Sequence, residues 1–252
     1  MKKFYKIALI LYSFIFNFVF AQEQNKIKVV SCHNPPYYFY ENSKFHGAEV
    51  ELLDIIFSYM NLDYQYYISE CAEAIQKTEI GYYNILLHNN TDNYNKNNLL
   101  DSEQLFKMNL VFFRKKYDYS QNYSQKIRVG VPPGYSDKNL SQNKNFEVTH
   151  VLGNNNYLNA LLKVYFNEID YFICDKITCE YVIEKYKKKF PELNTIERKD
   201  VELTNSLSIK ASFSLVNSLN KNKFREFNKV LKQIKKTYLY KAILIKYNIR
   251  NY

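Results

Sequence analysis

The feature that most constrains this chain is an alternation of periodicities in its first third. IKVVSC (27–32) is a short β-branched run of the kind that forms a strand. AEVELLDIIFSYMN (48–61) instead carries Val50, Leu53, Ile56, Phe57 and Met60 at helical spacing. YQYYIS (64–69) predicts a second strand, AEAIQKTEIG (72–81) a helix closed by glycine, and YNILLHN (83–89) a third strand. An order β-α-β-α-β calls for parallel strands joined by helical crossovers, so the fold class is α/β. The polar stretch NNTDNYNKNN (89–98) interrupts the pattern, and MNLVFFRK (108–115) predicts a further strand. The alternation then restarts. IRVGVPPG (127–134) reads as strand and turn, FEVTHVLG (146–153) holds a strand, and NYLNALLKVYFNE (156–168) reads as a helix. IDYFICD (169–175) is a strand and ITCEYVIEKYKKKF (177–190) a helix. SLSIKAS (206–212) is a last strand, followed by a helical tail over 222–248 with a break near Tyr238. Two α/β units in series are therefore expected, and 252 residues suffice to give each a core.

The first residues bear on the compartment. Lys2, Lys3 and Lys6 precede the apolar run IALILYSFIFNFVF, which ends at Ala21. This is the pattern of a secretory signal peptide over 1–21, cut between Ala21 and Gln22. The run is short for a membrane span and no basic stop-transfer cluster follows it. Removing it lowers the formal charge from +10 by three lysines, to +7. No arginine-rich patch interleaves with aromatics, so nucleic acid is not an expected partner. The basic balance instead fits a solvated surface or one facing anionic membrane. Four cysteines, Cys32, Cys71, Cys174 and Cys179, in an exported chain suggest disulfides. Three pairings are open; Cys32 with Cys71 and Cys174 with Cys179 would keep each bridge inside one half. The four histidines do not cluster, and neither a metal nor a cofactor is expected.

Ligands of open α/β sheets bind beyond the carboxyl ends of the strands. NPPYYFYENSKFHG (34–47) lies at that end of the first strand. Two prolines with preset φ angles stiffen the turn there, and aromatic residues follow. The 25 tyrosines as such argue little, because Asn, Lys, Ile and Tyr are all abundant, as an AT-rich genome would make them. The position of these aromatics is the signal. Tyr37 and Tyr38 are candidate walls of a binding site, with Phe39 assigned to the core.

The pieces in this order resemble the type 2 periplasmic solute-binding proteins of ABC importers, most closely their polar amino acid branch. The resemblance rests on VVSCHNPPYYFYENSKFHGAEVELLDIIF (29–57), YYNILLHNNT (82–91), LLDSEQLFKMNLVFFRKK (99–116), IRVGVPPGYS (127–136), IDYFICD (169–175) and the segment 206–249. It implies a two-lobed α/β fold with two hinge crossovers and a C-terminal helix returning to lobe one. Lobe one would comprise 22–103 and 209–252, and lobe two 104–208. It also implies a small-molecule ligand, a monomeric carrier, and the membrane subunits of an importer as partner.

Site residues follow from the same resemblance. Tyr37, assisted by Tyr38, would stack on ligand. Asp175 would pair with a ligand ammonium, although an acid at a strand end is equally suited to cap the next helix. Gly134, Tyr135 and Ser136 match a turn whose N–H groups receive a carboxylate. Asn89 and Thr91 lie at the end of the third strand. Tyr94 stands where the family places an arginine that forks onto the α-carboxylate. That departure points to a ligand without a free carboxylate, or to one held by Lys96, N–H groups and hydroxyls. A small polar or cationic solute, amino acid or amine-like, is therefore expected. The rival readings are a ligand-sensing or degenerate structural protein of the same fold and, less favoured, an exported dehydratase-type enzyme. The chain closes with the fold at Tyr252, which favours a free-standing binding protein over an attached input domain.

Overall fold

The computed structural model describes residues 26–89, 98–116, 126–132, 135, 138–151, 156–199, 207–216 and 219–249, with the backbone alone at 88–89, 138–139 and 219–220. The first unit contains β1 (Ile27–Ser31), the hairpin β2 (Phe39–Glu41) and β3 (Lys44–His46), α1 (Ala48–Tyr59), β4 (Tyr64–Ile68), α2 (Cys71–Glu79), β5 (Ile85–Asn89), β6 (Leu99–Asp101) and β7 (Phe106–Met108). The second contains β8 (Leu110–Lys115), β9 (Ile127–Val131), α3 (Lys138–Ser141), β10 (Phe146–His150), α4 (Asn156–Tyr165), β11 (Tyr171–Asp175), α5 (Lys176–Tyr186), a 3-10 turn (Pro191–Thr195) and β12 (Ile196–Lys199). The chain then returns as β13 (Leu207–Ser214), α6 (Leu219–Ile234) and α7 (Tyr238–Lys246).

Each lobe is built on one large sheet, and β2 and β3 form a separate two-stranded ribbon. The sheet of lobe one runs β4-β1-β5-β13-β6, with β7 also on β13; that of lobe two runs β10-β9-β11-β8-β12. β1 pairs parallel with β4 and β5, as the opening alternation requires. β9 is parallel to β10 and β11. Both sheets are nevertheless mixed. β13 runs antiparallel to β5, and β8 antiparallel to β11 and β12. These are the strands that enter a sheet from the other lobe, so no helical crossover fixes their direction. Strand β12 and the pair β6 and β7 were not legible in the sequence, being only three or four residues long. The expected break near Tyr238 is present, between α6 and α7.

Alternate residues of the inner strands feed cores on opposite faces, the period of a pleated strand. In lobe one, Val29, Ile85, Leu87, Ile209 and Ala211 pack with Phe57 of α1 and Phe227 and Leu231 of α6, while Val30 and Leu86 pack with Ala74 and Ile75 of α2. In lobe two, Val111, Phe113, Phe172 and Cys174 face α4 and α5, while Leu110, Phe112, Val129 and Ile173 face Leu140. Both disulfides keep to one lobe. Cys32 joins Cys71, tying the end of β1 to the start of α2, and Cys174 joins Cys179, tying β11 to α5.

Candidate ligand-binding site

The chain leaves β1 and folds back on itself at once. The Tyr37 and Tyr38 N–H groups both donate to the Asn34 carbonyl, and the Pro35–Pro36 bond is cis. The carbonyls of Pro36 and Tyr37 then accept from the N–H groups of Ala48 and Glu49. The proline turn therefore supplies acceptors to the free N–H groups of α1's first turn. Gly47 allows this approach. Its φ is +124°, and a Cβ there would lie 2.1 Å from the Tyr37 oxygen.

This turn aims the Tyr37 ring across the interlobe space. Its hydroxyl donates to Asp175 Oδ2 at 3.1 Å. Asp175 is the last residue of β11, and the same oxygen accepts from the Thr178 N–H at 3.1 Å and hydroxyl at 3.2 Å, which caps α5. Its other oxygen accepts from the Asn109 N–H at 2.9 Å. Asn109 links β7 to β8, and its carbonyl accepts from the Lys176 N–H at 2.9 Å. The carboxylate thus joins the crossing point between lobes, the start of α5 and the aromatic turn of lobe one. It is 1% exposed. Burial pushes its pKa from 3.8 up to about 6, while the bonds from Thr178, Asn109 and Tyr37 pull it down. Burial, then Asp175 itself, holds the Tyr37 hydroxyl well above its ordinary value, so it stays a donor.

Further contacts surround this centre. The Tyr157 hydroxyl donates to Asn34 Oδ1 at 3.2 Å, and Lys185 pairs with Glu41 at 2.8 Å. The rings of Phe39 and Tyr181 lie 5.8 Å apart. His33, Pro35, Tyr157, Tyr181 and Lys185 line a cavity of about 10 Å³, room for roughly one water molecule. Burial, then Lys185, lowers the pKa of His33.

Of the expected site residues, Tyr37 and Asp175 are brought together. Tyr38 is fully buried on the other side of the turn, its ring against Phe45 and Tyr66 and its hydroxyl donating to the Tyr67 carbonyl. Phe39, assigned to the core, is buried but stacks on His46 and reaches Tyr181 of lobe two. Tyr135 packs beside Val129, Val131 and Leu140. Asn89 ends β5, with its backbone paired to Ile209. Thr91, Tyr94, Gly134 and Ser136 lie outside the described residues.

Sequence reading missed Asn34, Tyr157, Tyr181 and Lys185. Tyr181 and Lys185 stand four residues apart on the helix that follows Asp175, a spacing that could have marked one face. It also missed Glu49, 1% exposed in the first turn of α1, whose Oε2 has no hydrogen-bond partner among the described residues. Burial pushes its pKa from 4.5 up to about 8. Among the described residues no group of three or more His, Cys, Asp or Glu could hold a metal ion.

A buried carboxylate and an aromatic turn thus face each other between two mixed α/β lobes. The model of the bacterial extracellular solute-binding proteins, family 3, matches residues 27–249. The chain belongs to that family. No curated protein matches this sequence. Its fold is the two-lobed periplasmic binding protein fold, type 2. A histidine kinase sensor domain with similarity to periplasmic binding proteins superposes with a TM-score of 0.70 at 16% identity, covering 88% of this chain and 95% of that one. A Salmonella typhimurium periplasmic binding protein of high arginine specificity gives 0.67 at 15%, covering 88% and 98%. The substrate-binding protein of an amino acid ABC transporter gives 0.68 at 14%, covering 87% and 97%.

Proposed function

We propose that this family 3 protein is exported through a cleaved leader and captures a small cationic solute, amino acid or amine-like, between its lobes for delivery to an ABC importer. It acts as a monomeric carrier and not as an enzyme. One observation carries the ligand class: a fully buried carboxylate between the lobes, Asp175, faces an aromatic side chain from the opposite lobe. A buried carboxylate paired with a ring suits an ammonium or guanidinium. Amino-acid-binding proteins among its structural neighbours support the same class.

The ligand must take over the acceptor that Tyr37 holds. Its cation replaces the tyrosine hydroxyl on Oδ2, and the ring becomes the wall beside it. Asn109 and Thr178 keep the carboxylate in place through this exchange. A second reading, that the protein reports ligand to a separate receptor instead of an importer, draws support from the sensor-domain neighbour. Ligand capture is common to both.

The test is a thermal-shift series with amino acids, amines, betaines and short peptides, alongside mass spectrometry of any co-purified solute. A cation at a hundred times its Kd stabilises the fold by about 2.7 kcal/mol. Asp175→Asn keeps an acceptor for Asn109 but loses the charge, and is expected to weaken that ligand by roughly tenfold or more. No stabilisation by any of these classes, or full affinity in Asp175→Asn, sinks the reading.

A further inference from the structure

The charge of this protein is not spread evenly. Residues 219–249 hold nine Lys or Arg and one acid, Glu226, a net of +8. The chain from Gln22 onward carries +7 in all, so everything outside this segment sums to −1. A general lysine bias would raise the whole chain, and it does not. The segment is the helix pair α6 and α7, whose inner faces (Phe227, Leu231, Ile234, Tyr240 and Ile243) are buried in the core of lobe one.

The outer faces are ordered. Lys221, Arg225, Lys229, Lys232 and Lys236 recur at intervals of three or four residues, so they form one stripe along α6. All five are exposed and none pairs with an acid among the described residues. At the joint into α7 the surface turns apolar. Tyr238 is 77% exposed and Ile245, two turns on, is 75% exposed, with Lys241, which pairs with no acid among the described residues, between them. Two turns apart, this aromatic and aliphatic pair shares one side of α7. A row of unpaired cations beside such a pair is the pattern of a surface helix that lies on a bilayer: cations on phosphate, apolar side chains at the headgroup level.

We propose that the outer face of α6 and α7 docks on an anionic phospholipid bilayer. The stripe supplies long-range attraction, and Tyr238 and Ile245 supply contact that salt does not screen. Such docking is independent of the cleft and of which solute fills it. It would hold the clamp at the membrane surface with the interlobe site unchanged.

The experiment is flotation of the mature chain, from Gln22 onward, with vesicles of phosphatidylcholine alone or mixed with phosphatidylglycerol, across a salt series. Binding is expected only with phosphatidylglycerol, falling about fivefold per cation removed, hence roughly a hundredfold for Lys229→Gln/Lys232→Gln/Lys236→Gln. Removing the same charge from lobe two, in Lys187→Gln/Lys188→Gln/Lys189→Gln, is expected to change little. Tyr238→Ser/Ile245→Ser is expected to lose the binding that persists at high salt. The idea is overturned if both lysine triples behave alike, if the α6 triple binds as the parent does, or if duplex DNA is bound as tightly as vesicles with no effect of the Tyr238 and Ile245 changes. Thermal melts of the variants check that each is folded; Lys187 alone among the substituted residues is partly buried, paired with Glu184.

Discussion

Glu49 is an acid placed where a helix dipole should favour its charge, in the first turn of α1, yet burial overrides the dipole and raises its pKa to about 8. The consequence for stability has a definite sign. Between 4.5 and about 8 the folded protein keeps a proton that the unfolded chain has lost, so stability falls as pH rises through that window and levels above it. The span corresponds to roughly 5 kcal/mol at most. Asp175 acts in the same direction, but only between 3.8 and about 6. Urea unfolding at a series of pH values should show Glu49→Gln losing the decline between about pH 6 and 8 and keeping below it only the share due to Asp175. A Gln variant that still declines there would rule Glu49 out as the source. Glu49 could be placed on a helix from sequence. Its burial could not, because that depends on the Pro36–Tyr37 turn folding over it.

At the scale of elements, the proline turn and α1 depend on one residue between them. The carbonyls of Pro36 and Tyr37 reach α1 only because Gly47 has no side chain and tolerates φ +124°. Gly47→Ala is expected to cost about 2–3 kcal/mol, lowering Tm by about 5–10 °C. It should also displace Tyr37 and so weaken ligand. Differential scanning calorimetry decides the first part: a melt within about a degree of the parent would mean the turn relaxes freely. The glycine, the proline pair and the helix after them were legible as an order of residue types. The close approach of backbones was not, since no pattern in the sequence reports that the turn doubles back.

For the whole molecule, the lobes meet through contacts of unequal worth. Lys185 and Glu41 are partly exposed, and such a pair contributes at most about 1 kcal/mol. The Tyr37 bond to Asp175 is fully buried and charge-assisted, worth about 1.5–3 kcal/mol. Tyr37 is therefore expected to hold the lobes together more firmly than Lys185 does, alongside the buried Tyr157–Asn34 bond, and it occupies the acceptor that the proposed cation would need. Tyr37→Phe is expected to shift the ligand-free protein toward open lobes, seen as a larger radius of gyration by small-angle X-ray scattering. The Lys185→Ala change alone should do much less. A Tyr37→Phe protein as compact as the parent would show that closure rests elsewhere.

The sequence by itself determined the α/β class, the two successive units, the family resemblance and the strand-end position of Tyr37 and Asp175. Those readings follow from local periodicity and residue type, which the chain carries without needing to fold. Only the tertiary structure decided that Tyr37 and Asp175, 138 positions apart, share one hydrogen bond. It alone joined Cys32 to Cys71 and Cys174 to Cys179 out of three pairings. It also showed that Asp175 caps α5 and holds Asn109 as well as facing the cleft. Each of these depends on which lobe the chain has entered and how closely the lobes approach, distances that residue order does not encode locally.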